Sequence, residues 1–220
     1  TSPGKFSQRA MAVRQFAELM ALLGVDRGEA ESIAAASADW LDSDSNEAPL
    51  GAEDAVYRAL EISYLPANRM MADVSEWRAV RGVTFKLFAR MKPWICVLPA
   101  ADPVKLNVNT LTPGRAPLVA MLMPGEISLA DARAALAARP AGGYGSSVGF
   151  WQTRALERFD PPGGVDEQAG VTSRWLALTV QVRMGDGDLT ARSLIDAWGG
   201  APAAGMAPPA IVRRDWGESD

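Results

Sequence analysis

The chain has 220 residues, 48% of them hydrophobic, which is enough to bury a sizeable core and to hold more than one small domain. Its net charge of −4 argues against nonspecific binding to a phosphate backbone, so no nucleic acid is expected as a partner. Histidine is absent and cysteine occurs once, which removes the commonest general base, the commonest transition-metal ligand and any internal disulfide.

The opening stretch has no signal-peptide core, and no run is apolar enough to span a bilayer. A Pro/Gly/Ser start directly before a helix looks cut, and is expected to follow a leader and an anchor. Val13, Phe16, Leu19, Met20 and Leu23 recur at helical spacing over residues 7–23, and Gly24 ends that helix. A second helix is expected over 28–41, with Ile33, Ala34, Ser37 and either Trp40 or Leu41 inward, and it delivers the chain into an acidic loop.

That loop carries the most specific pattern in the chain. Asp42, Asp44 and Asn46 alternate with small residues, and Glu53 falls where the twelfth position of an EF-hand loop would lie if Asp42 were the first. Oxygen ligands so spaced suit Ca2+ better than zinc. The sixth position, glycine in an EF-hand, is Glu47, and Pro49 and Gly51 bend the backbone differently. The expectation is therefore an irregular calcium loop, with Asp54 as a further ligand. A solvated acidic loop between helices fits the spacing equally well. Glu53 and Asp54 also open a short helix over 53–60, where a capping role competes with metal binding.

Beyond Pro66, Asp73-Val74-Ser75-Glu76 reads as a capping box, and Thr84 caps a following helix that carries Leu87, Phe88 and Met91. Two short helices joined at Gly82 resemble a helix-hairpin-helix unit. Such units often bind DNA, and Arg78, Arg81 and Lys86 lie nearby, which makes a DNA-binding module the alternative function. An enzymatic reading would need Asp42 and Glu53 as acid and base, with no nucleophile in view. Cys96, in the apolar run from Trp94 to Leu98, is expected to be buried and inert, and Trp40, Trp77 and Trp94 to pack in cores.

The helical pattern then repeats. Thr112-Pro113 opens a helix to about Met123, Ser128 and Asp131 open another to Arg139, and the glycine-rich segment at 142–147 is a plain loop into a helix over 150–159. At Asp160-Pro161-Pro162-Gly163-Gly164 the period changes to two. Residues 175–184 form a half-buried strand, Gly185-Asp186-Gly187-Asp188 turns, residues 189–198 return, and 211–216 add a last strand. So small a sheet cannot cover both of its faces. The organisation is α+β: 1–104 a first helical subdomain with the acidic loop, 105–163 a second, and 164–220 a C-terminal β part.

The runs Asp39-Trp40-Leu41-Asp42-Ser43-Asp44, Gly51-Ala52-Glu53-Asp54, Tyr64-Leu65-Pro66-Ala67-Asn68, Asp73-Val74-Ser75-Glu76 and Asn107-Val108-Asn109-Thr110-Leu111, with the strand at 175–184, resemble the K-type minor pseudopilin family of the bacterial type II secretion system. The resemblance implies a pseudopilin-type antiparallel sheet interrupted by a large helical insertion of two SAM-like subdomains. It implies a non-enzymatic role at the tip of the periplasmic pseudopilus. The partners would be I-type and J-type minor pseudopilins, with secreted proteins as further candidates. The calcium residues would be Asp42, Asp44 and Glu53, then Asn46 and Asp54. The family's inner-membrane anchor is an N-terminal helix not found in this chain.

Overall fold

The structure, a computed structural model, describes residues 10–100, 104–185, 187–198 and 208–217. The expected helix starts at Ser7, the turn residue Asp186 and most of the Gly/Ala/Pro loop after Trp198 lie outside them. Within them the chain is α+β, with a helical N-terminal region and a C-terminal antiparallel sheet.

Helices α1 (Ala10–Leu22) and α2 (Arg27–Leu41) form a hairpin, with the Asp26 carboxylate accepting from the Glu29 amide at the start of α2. They bury Met20, Ile33 and Trp40 in a first core completed by Tyr57, Trp77, Leu87, Phe88 and Met91. Tyr57 comes from α3 (Asp54–Arg58). Trp77 comes from a 3-10 turn, Val74–Ala79, held by the expected capping box: Asp73 accepts from the Ser75 amide, and Glu76 reaches back to the Ala72 and Asp73 amides. The Trp77 indole donates to Ser37 at 2.9 Å. After Gly82 comes α4 (Phe85–Met91), capped by Thr84 as expected. Gly82 has φ +86°, and a Cβ there would press on Ile33 of α2, so the turn needs glycine both for its backbone and for its closeness to the core.

A second core gathers Val108, Val119, Leu122, Leu136, Tyr144, Phe150 and Leu156 from β1 (Leu106–Asn107), α5 (Ala116–Ala120), α6 (Leu129–Ala137) and α7 (Ser147–Trp151) and the segments around them. The expected helix from Thr112 is broken in two, a 3-10 turn followed by α5. The last expected helix starts and ends earlier than 150–159, because Ser146 inside the glycine-rich segment caps it by accepting from the Gly149 amide. Asn109 fixes that segment, donating to the Tyr144 and Val171 carbonyls and accepting from the Tyr144 amide. The core also takes Val165 and Ala169, and β2 (Ala169–Gly170) pairs in parallel with β1. The chain thus still belongs to helical packing for several residues past the change of period at Gly164.

Helix α1 serves both cores. Ala17, Leu19 and Met20 enter the first while Met11 and Leu22 pack on the second, and the buried Gln15 amide donates to the Leu122 carbonyl and to Gln168.

Strands β3 (Trp175–Met184), β4 (Gly187–Asp196) and β5 (Ala210–Trp216) form an antiparallel meander in that order, with a bulge at Leu194/Ile195. Leu176, Leu178, Val180 and Val182 share one face with Leu189, Ile195 and Ile211, whereas Thr179, Gln181, Arg183, Arg192 and Arg213 lie on the other. The expectation that so small a sheet leaves an apolar face poorly covered holds, while the expectation that β3 is half-buried fails. Its four central apolar side chains remain 44–52% exposed, because no helix of the described chain lies across them. The Arg174 guanidinium grips the buried Asp196 carboxylate at 3.0 and 2.9 Å, and Arg213 donates to the Ala72 carbonyl, which ties the sheet to the first helical region.

Cys96 is a second correction. It is exposed, because residues 94–98 form no strand and run as surface coil between the two cores. Nearby protein atoms still desolvate the thiol and push its pKa up, so it remains protonated at neutral pH. Trp94 is half-buried under the Arg115 guanidinium, 4.6 Å from its ring centre, while Trp40 and Trp77 are in the core.

Candidate functional site

Helix α2 ends at Asp42 and α3 begins after Glu53, so the acidic loop is a return between two packed helices. Its shape is set by a residue the spacing does not single out. Asp39 is fully buried on the last turn of α2, and its Oδ2 accepts from the Ala48 amide at 3.2 Å and the Ala52 amide at 2.9 Å. A Cβ on Gly51 would overlap that carboxylate, which explains the glycine. Leu50 takes φ +67°, the sharp turn made one residue before the glycine instead of on it. From outside, Arg81 donates to the Gly51 carbonyl at 3.0 Å and its amide donates to the Tyr57 hydroxyl. Arg81, a candidate DNA contact by sequence, is thus engaged with the loop.

Within this frame Asp42 and Glu53 are 5% and 3% exposed, and Asp42 Oδ1 and both Glu53 carboxylate oxygens are buried without a hydrogen-bond partner. Buried carboxylates are ordinarily paired or hydrogen-bonded, so three orphaned oxygens at one place are unusual. Burial pushes Asp42 up to about 6, assisted by the negative charges of Asp44 and Asp39. Burial pushes Glu53 up to about 7, assisted by Asp39 and Asp42. Asp42 is also the C-cap of α2, where the helix dipole opposes a negative charge. Glu53 is the N-cap of α3, yet its side chain makes no capping bond. The capping role that competes with metal binding is therefore not used by Glu53.

The other sequence candidates are differently placed. Asp44 is exposed and turned back on the loop, its Oδ1 accepting from the Asn46 amide and side chain at 2.9 and 2.7 Å. Asn46 is exposed in that same turn. Asp54 pairs with Arg58 at 2.7 Å, one helical turn on. Among the described residues no three acidic, cysteine or histidine side chains converge as a ready ligand cluster. The structure brings together Asp42 and Glu53, keeps Asp44 and Asn46 at the rim, and commits Asp54 to an ion pair.

Asn68 was not a candidate. It holds φ +47°, its amide nitrogen reaches the Asp44 carbonyl at 3.4 Å, and its Oδ1 is a further buried oxygen without a partner. An asparagine following Pro66-Ala67, a residue type that tolerates the left-handed region, was the available signal.

The described chain is thus two helical cores, with two buried carboxylates carrying unpartnered oxygens between α2 and α3, and a small antiparallel sheet with one uncovered apolar face. Family models described as type II secretion system (T2SS), protein K, match residues 2–100 and 106–172. Type II secretion system protein K of Pectobacterium carotovorum subsp. carotovorum is 38% identical over 183 residues, covering 82% of this chain and 54% of that protein. Its Dickeya chrysanthemi counterpart is 39% identical over 191 residues, covering 87% and 52%. The chain superposes with a TM-score of 0.79 and 28% identity on a chain of the GspK-GspI-GspJ complex from the enterotoxigenic Escherichia coli type 2 secretion system, over 98% of this chain and 74% of that one. The chain belongs to the type II secretion system protein K family. It spans about half the length of the curated relatives it matches.

Proposed function

We propose that this chain is the periplasmic part of a non-enzymatic minor pseudopilin, which caps the pseudopilus tip of a type II secretion system together with I-type and J-type minor pseudopilins and helps to start its assembly. The open apolar face of β3–β5 carries this reading. In a complex of the kind named for the structural relative, neighbouring subunits would cover that face. The three strands are the C-terminal part of a pseudopilin sheet, and the two helical cores are SAM-like subdomains inserted into it. Among the described residues no helix is long and apolar enough to cross a membrane.

The acidic loop is read as a Ca2+ site. Asp42 and Glu53 would hold the ion, with Asp44, Asn46 and Asn68 at hand and Asp54 released from Arg58 if it takes part. A hard divalent cation would neutralise two buried carboxylates and oppose the negative end of α2, tying the end of one helix to the start of the next. Its role would be structural, the joining of two helix ends.

Co-elution on size exclusion with the I-type and J-type proteins of the same system tests the assembly. The parent chain is expected to form a stable complex. Val182→Asp, on the apolar face, is expected to lose it, and Trp175→Asp, on the opposite face, to keep it. If both folded variants capture the partners as the parent does, the interface lies elsewhere. Calorimetric titration with Ca2+ after chelation tests the ion separately. Asp42→Asn is expected to abolish the heat, and an unchanged parent melting temperature in chelator would return the site to an acidic loop.

A further inference from the structure

A groove of about 530 Å³ lies on the first helical region, lined by none of the acidic-loop or sheet residues. Tyr64, Phe85, Ala79 and Val83 supply its apolar lining, and Ser75 and Arg78 its polar lining. The walls are set firmly. The Tyr64 hydroxyl donates to the Ala79 carbonyl at 2.8 Å, and its ring packs 5.3 Å from Tyr57 and 6.2 Å from Trp40. Arg78 is stacked over the Phe88 ring, 5.8 Å from its centre. Phe85, on the first turn of α4, is 77% exposed although alanine or lysine would serve a solvated helix better. Ile62, two residues before Tyr64, is 82% exposed. A large apolar side chain this exposed in the lining of a concave site, as Phe85 is, is a signature of an interaction surface.

The charge says what kind of partner fits. The chain as a whole is net negative, yet the one ionised side chain lining the groove is a cation. Among the described residues Arg78 forms no ion pair. A guanidinium held at the edge of an apolar slot, oriented by the ring beneath it, is set to receive a carboxylate beside an apolar side chain. We propose that this groove docks a peptide segment of a protein partner in which an aromatic or long aliphatic residue, seated between Tyr64 and Phe85, is flanked by an acidic residue that pairs with Arg78. The proposal rests on neither the cation nor the sheet.

Amide chemical-shift titration of the isotope-labelled chain tests it, with acetylated pentapeptides as probes, phenylalanine flanked by two aspartates in one and by two lysines in the other. The acidic peptide is expected to shift amides of residues 62–88 selectively, with the lysine peptide about ten-fold weaker. Phe85→Ala should weaken both peptides. Arg78→Glu, an exposed position, should invert the preference, a result that mere misfolding would not give. Equal binding of the two peptides, no shifts at millimolar concentration, or inversion failing in a folded Arg78→Glu variant overturns the proposal. A single-stranded octathymidylate shifting the same amides more strongly than the acidic peptide would assign the groove to nucleic acid and overturn it as well. So would shifts of these amides on dilution without probe, which would assign it to a second copy of the chain.

Discussion

At residue scale the acidic loop shows how a short motif divides its labour. Asp39 organises the backbone, Gly51 makes room for it, and Asp42 Oδ1 and both Glu53 carboxylate oxygens are left unanswered. Gly51→Ala should therefore damage the loop through Asp39. With one buried and one part-buried hydrogen bond to Asp39 disturbed, a loss of about 2 kcal/mol is expected in urea unfolding. A change under about 0.5 kcal/mol would mean that the loop absorbs the methyl group elsewhere. The two raised carboxyl groups give a pH signature in chelator. Their folded values, about 6 and about 7, lie above the ordinary 3.8 and 4.5, so the native state holds protons that the unfolded chain has released. The contribution is fully present below about pH 4 and is lost as pH rises through 6 to 7. Metal-free protein should melt higher at pH 5 than at pH 7.5, and saturating Ca2+ should remove or reverse that slope by stabilising the ionised pair. A flat profile in chelator for the parent, matching that of Asp42→Asn with Glu53→Gln, would show that these groups ionise without cost.

At the scale of elements, local chemistry was legible where a residue speaks to its own neighbourhood. The Asp73 and Thr84 caps, the glycine at the hairpin turn and the two-residue period of β3 all stand where the sequence puts them. Ser146 escaped notice because its cap lies inside a glycine-rich run that reads as loop. The burial of β3 was misjudged for a more general reason. Alternation fixes which side chains share a face, and it is silent about what, if anything, covers that face. Asp42 and Glu53 were visible by spacing, whereas Asp39 and Asn68 act through backbone partners 9 to 24 residues away, which no local pattern reports. The capping box makes a test at this scale. Val74–Ala79 is a 3-10 turn with few bonds of its own, so its position depends on Asp73 and Glu76 more than a long helix would. Asp73→Ala should cost about 1 kcal/mol. Because Trp77 rides on this turn, the loss should appear in tryptophan fluorescence at the same denaturant concentration as global unfolding. An earlier, separate fluorescence step would show that the turn unfolds independently of the first core.

At the scale of the molecule, the two helical cores and the sheet are unequal. Both cores are filled, and α1 runs through both with the Gln15 amide fixed at their junction, so they should open together. The sheet has two edge strands and one uncovered apolar face, and is tied back through Arg174–Asp196 and Arg213. Three strands with so little packed against them lie near the lower limit of independent stability. Native-state hydrogen exchange should therefore rank the molecule in a definite order, with amides of β3 and β5 losing protection first, β4 next, and α2 and α6 only with global unfolding. Adding the proposed I-type and J-type partners should slow exchange in β3–β5 by an order of magnitude or more while leaving α6 unchanged, since a partner that covers an apolar face stabilises what it touches. The order also separates the sources of cover. If β3 in the isolated chain is already as slow as α2, and remains so on dilution, the face is closed within the chain and the assembly surface must be sought elsewhere. If protection falls on dilution, copies of the chain cover one another, and the two partners must compete with that self-association for the same strands.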